Sequence, residues 1–202
     1  MLAMIHGAGG DHHVWDALCA ALPEEKFALD LPGRRAAGPV CASARDAASA
    51  VIVEIGARGL RTEDVIVVGH SYGGAVGIEC ALAAPFGGLV LISTGARLRV
   101  HPDVLATMPA HAAGVSAETA RTDWLAADAF DRMSDVSRIT APTLVIGGDR
   151  DELTPPKYAR YLAAQIPGAT LALLSDAGHL CIVDDAPRVA AEITNWLHRA
   201  RP

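Results

Sequence analysis

Short apolar runs alternate with longer stretches of helical periodicity along this chain. Leu2–Ile5, Phe27–Leu29, Val65–Val68, Leu89–Ile92, Leu144–Ile146 and Thr170–Leu174 are near-continuous apolar runs, the pattern of strands buried on both faces. Between them the spacing predicts helices near residues 13–22, 40–58, 72–84, 156–165 and 187–199. The last follows Asp184 and Asp185, carries Pro187 in its first turn, and repeats Val189, Ile193, Trp196 and Leu197 on one face. Strands that alternate with helices predict an α/β fold: a mostly parallel sheet of about six strands, joined by right-handed crossovers and covered by helices on both faces. Ligands in such folds sit beyond the carboxyl ends of the strands. Residues 96–140 break the rhythm. They hold no convincing strand, are too long for an ordinary connection, and contain His101, Pro102, Met108, Pro109, His111, Trp124 and Phe130. The expectation is a helical insertion lying over the site, within one domain spanning 1–202.

The clearest local signal is Gly69-His70-Ser71-Tyr72-Gly73-Gly74, set between the apolar run ending at Val68 and the helical stretch from Ala75 to Leu82. This is G-x-S-x-G in the strand–turn–helix context its chemistry needs. A sharp turn lifts the serine hydroxyl above the sheet, and glycines on either side let strand and helix approach closely. Ser71 is therefore the candidate nucleophile. A serine hydroxyl attacks only when a base takes its proton and a third group orients that base. Both are present in the order Ser…Asp…His. The loop after Leu144–Ile146 holds Asp149 and Asp151, and the loop after Thr170–Leu174 holds Asp176 and His179. His179 is the candidate base. Asp151, next to the Thr154-Pro155 turn, is favoured as the acid over Asp149 and Asp176. Two further groups complete the chemistry. Ala8, in the glycine-rich loop after the first strand, and Tyr72 would present backbone N–H groups as an oxyanion hole.

Other chemistries fit less well. Gly7-Ala8-Gly9-Gly10 has His12 where G-x-G-x-x-G needs its third glycine, and no Gly-Lys-Ser/Thr follows, so a phosphate cradle is not expected. His12 and His13 lack metal-ligand spacing and read as helix-entry residues, and Trp15 reads as packing the first helix on the sheet. No cofactor or metal is called for. The four cysteines form no C-x-x-C pair and read as free, buried thiols of a reducing compartment, with the cytoplasm as the default. A net charge of −6 argues against nucleic acid and anionic membrane as partners. No apolar run reaches the ~20 residues that span a bilayer, and Met1–His6 lacks the basic segment of a signal peptide. Alanine, at 39 residues, makes the positive mean hydropathy overstate apolar bulk.

Taken in order, these landmarks resemble the α/β-hydrolase superfamily. They are the His6-Gly7 loop, Asp30-Leu31-Pro32-Gly33-Arg34, the Gly-His-Ser-Tyr-Gly-Gly elbow, Gly148-x-x-Asp151-x-x-x-Pro155, and Ala177-Gly178-His179 before a closing helix. The resemblance implies Ser71 as nucleophile, Asp151 as acid, His179 as base, and the amides of Ala8 and Tyr72 as oxyanion donors. It implies hydrolysis of small or medium carboxylic esters through an acyl-enzyme. C–C bond hydrolysis, hydroxynitrile lysis or perhydrolysis on the same scaffold are the alternatives, with a non-catalytic ligand-binding protein behind them. Against the family pattern, the chain opens at the family's third strand, without the leading hairpin. The insertion at 96–140 is short for a cap, which implies a shallow, open acyl pocket with apolar walls that homodimerisation would cover. Haloalkane dehalogenases and epoxide hydrolases, which carry a carboxylate at the elbow, are excluded by Ser71.

Overall fold

The computed structural model describes residues 1–34 and 40–200. Its strands are β1 (Leu2–Ile5), β2 (Lys26–Leu29), β3 (Ile66–His70), β4 (Gly88–Ile92), β5 (Thr143–Gly148) and β6 (Thr170–Leu174). All pair in parallel, in the order β2-β1-β3-β4-β5-β6. The chain builds outward from β1 to β2, then crosses back to lay β3 on the other side of β1. The crevice between the loops after β1 and β3 is therefore the switch point where α/β sheets bind ligands.

The strand residues alternate between two cores. Ala3, Ile5, Val67, Leu89, Leu91 and Val145 pack with α2 (Ala44–Ala57), α3 (Tyr72–Ala83) and α6 (Pro156–Gln165). Leu2, Met4, Val68, Val90, Ile92, Leu144 and Ile146 face the other way, onto α1 (Asp16–Ala21), α7 (Cys181–Asp184) and α8 (Ala186–Ala200). Side chains in a strand point to opposite faces in turn, so an unbroken apolar run can only be buried between two helical layers. Trp15 is fully buried in the second core, as expected, beside Leu18 and the apolar face of α8. The edge strands β2 and β6 are mostly half-buried, whereas β1, β4 and β5 are buried throughout.

Boundaries shifted where caps decided them. The helix expected from residue 40 starts at Ala44, because Ser43 accepts the Asp46 N–H at 3.1 Å. The helix expected over 13–22 divides into a 3₁₀ turn, His12–Trp15, and α1; Asp11 accepts the His13 N–H at 3.0 Å and opens the turn. Between β4 and β5 lie α4 (Pro102–Thr107), α5 (Ala117–Ala129) and a 3₁₀ turn, Val136–Arg138. The segment is helical, as expected, and an antiparallel bridge between Arg97 and Asp131 draws its two ends together. Among the described residues no helix is long and apolar enough to cross a membrane. The four cysteines are free, but Cys19 and Cys41 are only half-buried, while Cys80 and Cys181 are buried.

Candidate active site

Ser71 stands between β3 and α3 with φ 53° and ψ −120°, a conformation that L-residues adopt only when neighbours impose it. The neighbours are identifiable. The Ser71 N–H donates to the Ile92 carbonyl at 3.0 Å, and its own carbonyl accepts the Thr94 hydroxyl at 2.8 Å and the Gly74 N–H at 2.9 Å. A Cβ at Gly69 would overlap the Gly73 carbonyl, and one at Gly73 would overlap the carbonyl of Ile5, so the turn can tighten only with glycine at both positions. A serine at a helix N-cap ordinarily accepts an amide of the first turn. Ser71 makes no such bond, which leaves its hydroxyl uncommitted to the helix below it.

Asp151 and His179 meet across the loops after β5 and β6. His179 Nδ1 lies 2.9 Å from Asp151 Oδ2 and 3.1 Å from Oδ1. With Nδ1–H donated to the carboxylate, the lone pair of the neutral ring is on Nε2. The Asp151 side chain is fully buried, yet His179 keeps 16% of its own exposed, so the acid is sealed while the ring reaches the cavity. Every neighbour of the carboxylate is a donor. The amides of Leu153 and Thr154 donate to Oδ1 at 2.9 and 2.8 Å, and the Thr154 hydroxyl donates to Oδ2 at 2.7 Å. Burial pushes the Asp151 carboxyl upward, but the hydrogen bonds and charge from His179 and the bonds from Thr154 outweigh it and hold the group below the ordinary range. The two other carboxylates considered are occupied elsewhere. Asp149 accepts the Asp176 amide at 2.7 Å and braces the two loops, and Asp176 pairs with Arg150 on the surface.

Two buried histidines support the site from below. His70 Nε2 lies 2.9 Å from the His179 carbonyl, which can only accept, so His70 carries its proton there and holds the backbone of the His179 loop. Burial, with the nearby His179 charge, lowers its pKa to about 3. His6 accepts the Leu31 N–H on Nε2 at 3.1 Å and donates from Nδ1 to the Gly7 carbonyl at 2.9 Å. Its pKa falls to about 4, mainly through burial and then through Arg34. The Gly7 carbonyl also accepts the Gly10 N–H at 3.2 Å. Because a trans peptide directs its C=O and N–H oppositely, holding the Gly7 carbonyl on that side sends the Ala8 N–H the other way.

Ala8, Ser71, Tyr72, Thr154 and His179 line one cavity of about 220 Å³. Leu98, Val100, Val104, Trp124 and Ala127 give it an apolar roof from the 96–140 segment, and Arg99, His101, Lys157 and Glu152 stand around it. A larger cavity of about 440 Å³ lies near Glu79 and Arg132. The one hydroxyl among its described lining residues, on Ser43, is already bonded to Asp46 at 2.8 Å, and its carboxylates, Glu79 and Asp131, are ion-paired with Arg132 and Arg97.

A family profile described as the alpha/beta hydrolase family matches residues 2–193. The chain belongs to that family. Among curated relatives of this hydrolase, a proline iminopeptidase, PfmaB, of Pestalotiopsis fici is 37% identical over 70 residues, covering 35% of the chain but only 25% of that protein. A pimeloyl-[acyl-carrier protein] methyl ester esterase of Neisseria meningitidis is 26% identical across 93% of the chain and 73% of its own length. Of the solved structures, a thermophilic esterase superposes with a TM-score of 0.85 at 26% identity, over 99% of the chain and 90% of its own. A lipase-esterase related protein from Clostridium acetobutylicum gives 0.87 at 20% identity, over 96% and 93%, a likeness of fold alone. The six-stranded parallel sheet and its flanking helices are thus those of an α/β hydrolase with esterase-type relatives.

Several residues of the site were not singled out from the sequence as site residues. Thr154, three residues after Asp151, satisfies the carboxylate; its signal is the D-x-x-T spacing of a local cap. Arg34 and Asp123 form a buried ion pair between the loop after β2 and α5, and Asp123 Oδ2 accepts the Gly9 N–H at 2.9 Å. No local pattern marks that pair, because its partners are 89 residues apart. His12 and His13 lie in the turn that opens α1, as expected, and His12 Nδ1 is bonded to Asp30 at 2.9 Å. Ligand atoms of Asp11, His12 and His13 do lie within 4.8 Å of one another.

Proposed function

We propose that the hydrolase is a carboxylic-ester hydrolase that uses Ser71, His179 and Asp151 as a Ser-His-Asp triad, with the amides of Ala8 and Tyr72 as its oxyanion hole. The observation that carries this reading is His179 Nδ1 bonded to the sealed Asp151 carboxylate, with His179 and Ser71 lining one cavity. His179 Nε2 takes the Ser71 proton as Oγ attacks the ester carbonyl. The negative charge that moves onto the carbonyl oxygen is met by the two amides. His179 then returns the proton to the departing alkoxide, leaving an acyl-enzyme on Ser71. Water deprotonated by the same ring releases the acid. Asp151 keeps its charge throughout, orienting the ring and stabilising the imidazolium.

A cavity of about 220 Å³ is smaller than the usual ~300–1,000 Å³ of sites for drug-sized ligands, and its roof is apolar. Small or medium acyl groups fit that size. The 96–140 segment acts as the cap, in one domain with the sheet. Intact-mass spectrometry across a graded series of p-nitrophenyl esters tests the reading. A transient mass gain equal to the acyl group, lost in Ser71→Ala, is the expected result. Turnover of a β-diketone or a cyanohydrin faster than of any ester would reassign the reaction.

A further inference from the structure

The loop that carries Ala8 is not held by its own strand alone. The two peptide groups that flank Gly9 are gripped by residues of the helical segment. The Gly9 N–H donates to Asp123 of α5 at 2.9 Å, and the Gly9 carbonyl accepts the His111 N–H at 2.7 Å. Gly9 has φ +67°, and a Cβ there would overlap the Pro109 carbonyl, so the segment lies directly against the loop. Arg34 closes the arrangement. Its Nε donates to the Gly10 carbonyl at 2.9 Å, one terminal nitrogen donates to the Pro32 carbonyl at 3.3 Å, and the guanidinium pairs with Asp123. The side chains of Arg34 and Asp123 are 1% and 4% exposed. Trp124, next to Asp123, lines the cavity and donates its indole N–H to the Pro109 carbonyl at 3.0 Å.

A buried ion pair is a weak way to gain stability, because desolvation consumes most of the attraction. What this pair does instead is geometric. Two of its bonds, from the Gly9 N–H to Asp123 and from Arg34 Nε to the Gly10 carbonyl, tie residues 9 and 10 to α5 and to the loop after β2, one and two positions beyond the amide that must meet the oxyanion. We propose that Arg34 and Asp123 are positioning residues. They seat the oxyanion-hole loop against α5, so that the Ala8 N–H points at the reacting carbonyl when the 96–140 segment is docked. This rests on the reading of Ala8 as an oxyanion donor.

The full chain is assayed with p-nitrophenyl butyrate, and each rate is divided by the sites that an organophosphate titrates. Asp123→Ala removes the acceptor of the Gly9 N–H, and kcat per titrated site should fall about 100-fold, with KM changed less than about threefold. Asp123→Asn can keep the oxygen that accepts the Gly9 N–H but loses the charge and one of the two acceptor oxygens facing Arg34, so a smaller loss of about tenfold is expected. Inhibition by an alkyl trifluoromethyl ketone, which forms a tetrahedral oxyanion on the serine, should weaken in parallel with kcat/KM. A merely structural pair would lower Tm and the titratable fraction, leaving kcat per site and ketone affinity unchanged; that result overturns the proposal. If Asp123→Ala does not fold, Asp123→Asn decides: a loss of about threefold or more per site supports the proposal, and a smaller one overturns it. A wild-type enzyme that hydrolyses the ester but ignores the ketone would instead remove the oxyanion reading beneath it.

Discussion

In the proposed active site, the acid–base end of the cavity and the oxyanion end are held in opposite ways. Asp151 is oriented by atoms two and three residues away, namely the amides of Leu153 and Thr154 and the Thr154 hydroxyl. The Ala8 loop leans on Asp123, 114 residues from Gly9, and on Arg34, 24 residues from Gly10. The first is a local cap that forms wherever that short sequence folds. The second is completed only by the segment between β4 and β5, which supplies Asp123. On the proposed reading, nucleophile and base can thus be in place while the oxyanion donors still depend on the 96–140 segment. That division separates proton transfer from charge stabilisation, two contributions that mutant kinetics can tell apart.

Substitutions in the proposed triad should be the most damaging. Ser71→Ala and His179→Ala should each lower kcat about 10⁴–10⁶-fold on p-nitrophenyl butyrate, and Asp151→Asn about 10⁴-fold by disturbing the ring tautomer. Asp151→Asn retaining more than about a tenth of wild-type kcat would show that the acid is another group. The long-range end comes next, through the Asp123 variants described above. If Asp123→Ala proved as damaging as Ser71→Ala, the two ends could not be treated as separable.

Acid should then act through the buried histidines. Their folded pKa values, about 4 for His6 and about 3 for His70, lie below the ordinary 6.5. Between those values and 6.5 the unfolded chain binds more protons than the folded one, so stability is full above 6.5 and is lost as pH falls. At pH 5 each histidine should cost roughly 2 kcal/mol, from about 1.5 pH units at 1.36 kcal/mol each. Chemical denaturation at pH 7.5 and pH 5 measures this. His70→Gln, which keeps a donor for the His179 carbonyl, should flatten the pH dependence, and an unchanged slope would count against a neutral buried ring. Asp151 acts in the same sense at lower pH. Its depressed pKa makes a stability contribution that is present above about pH 3.9 and lost as pH falls through the folded value.

The smallest effect belongs to Thr154. Thr154→Val removes one hydrogen bond to a carboxylate that keeps two amides and the imidazole. A loss of about 1 kcal/mol corresponds to roughly fivefold in kcat, with the acid limb of the pH–rate profile shifted upward. A drop as large as that of Asp151→Asn would mean that the acid loop is not self-supporting, and the contrast between the two ends would dissolve.

Much of this molecule was legible before the coordinates. Six apolar runs became six strands because β1, β4 and β5 are buried on both faces, which leaves no room for polar alternation. The elbow was readable because Gly69 and Gly73 stand where a side chain would overlap backbone. Helix starts were less accurate. The onset of α2 turned on which residue, Ser43 rather than Val40, could satisfy a free amide. Among Asp149, Asp151 and Asp176, which all follow neighbouring strands, the sequence favoured Asp151 only through its place beside the Thr154-Pro155 turn and through the family resemblance. The cross-loop geometry joins Asp151 to His179 and gives the other two their own partners, Asp149 the Asp176 amide and Asp176 the Arg150 guanidinium.

The chain by itself determined the layered α/β architecture, the strained serine turn and the loops that bring its partners forward. Each of these follows from neighbours a few residues apart: an apolar run, a cap, a glycine that a tight turn requires. Tertiary structure alone decided which residues roof the cavity, and that Arg34 and Asp123 secure the loop beneath Ala8. Those contacts join segments tens of residues apart, and only the packing of the loop after β2 and of the 96–140 segment around the switch point of the sheet brings their atoms within hydrogen-bonding distance.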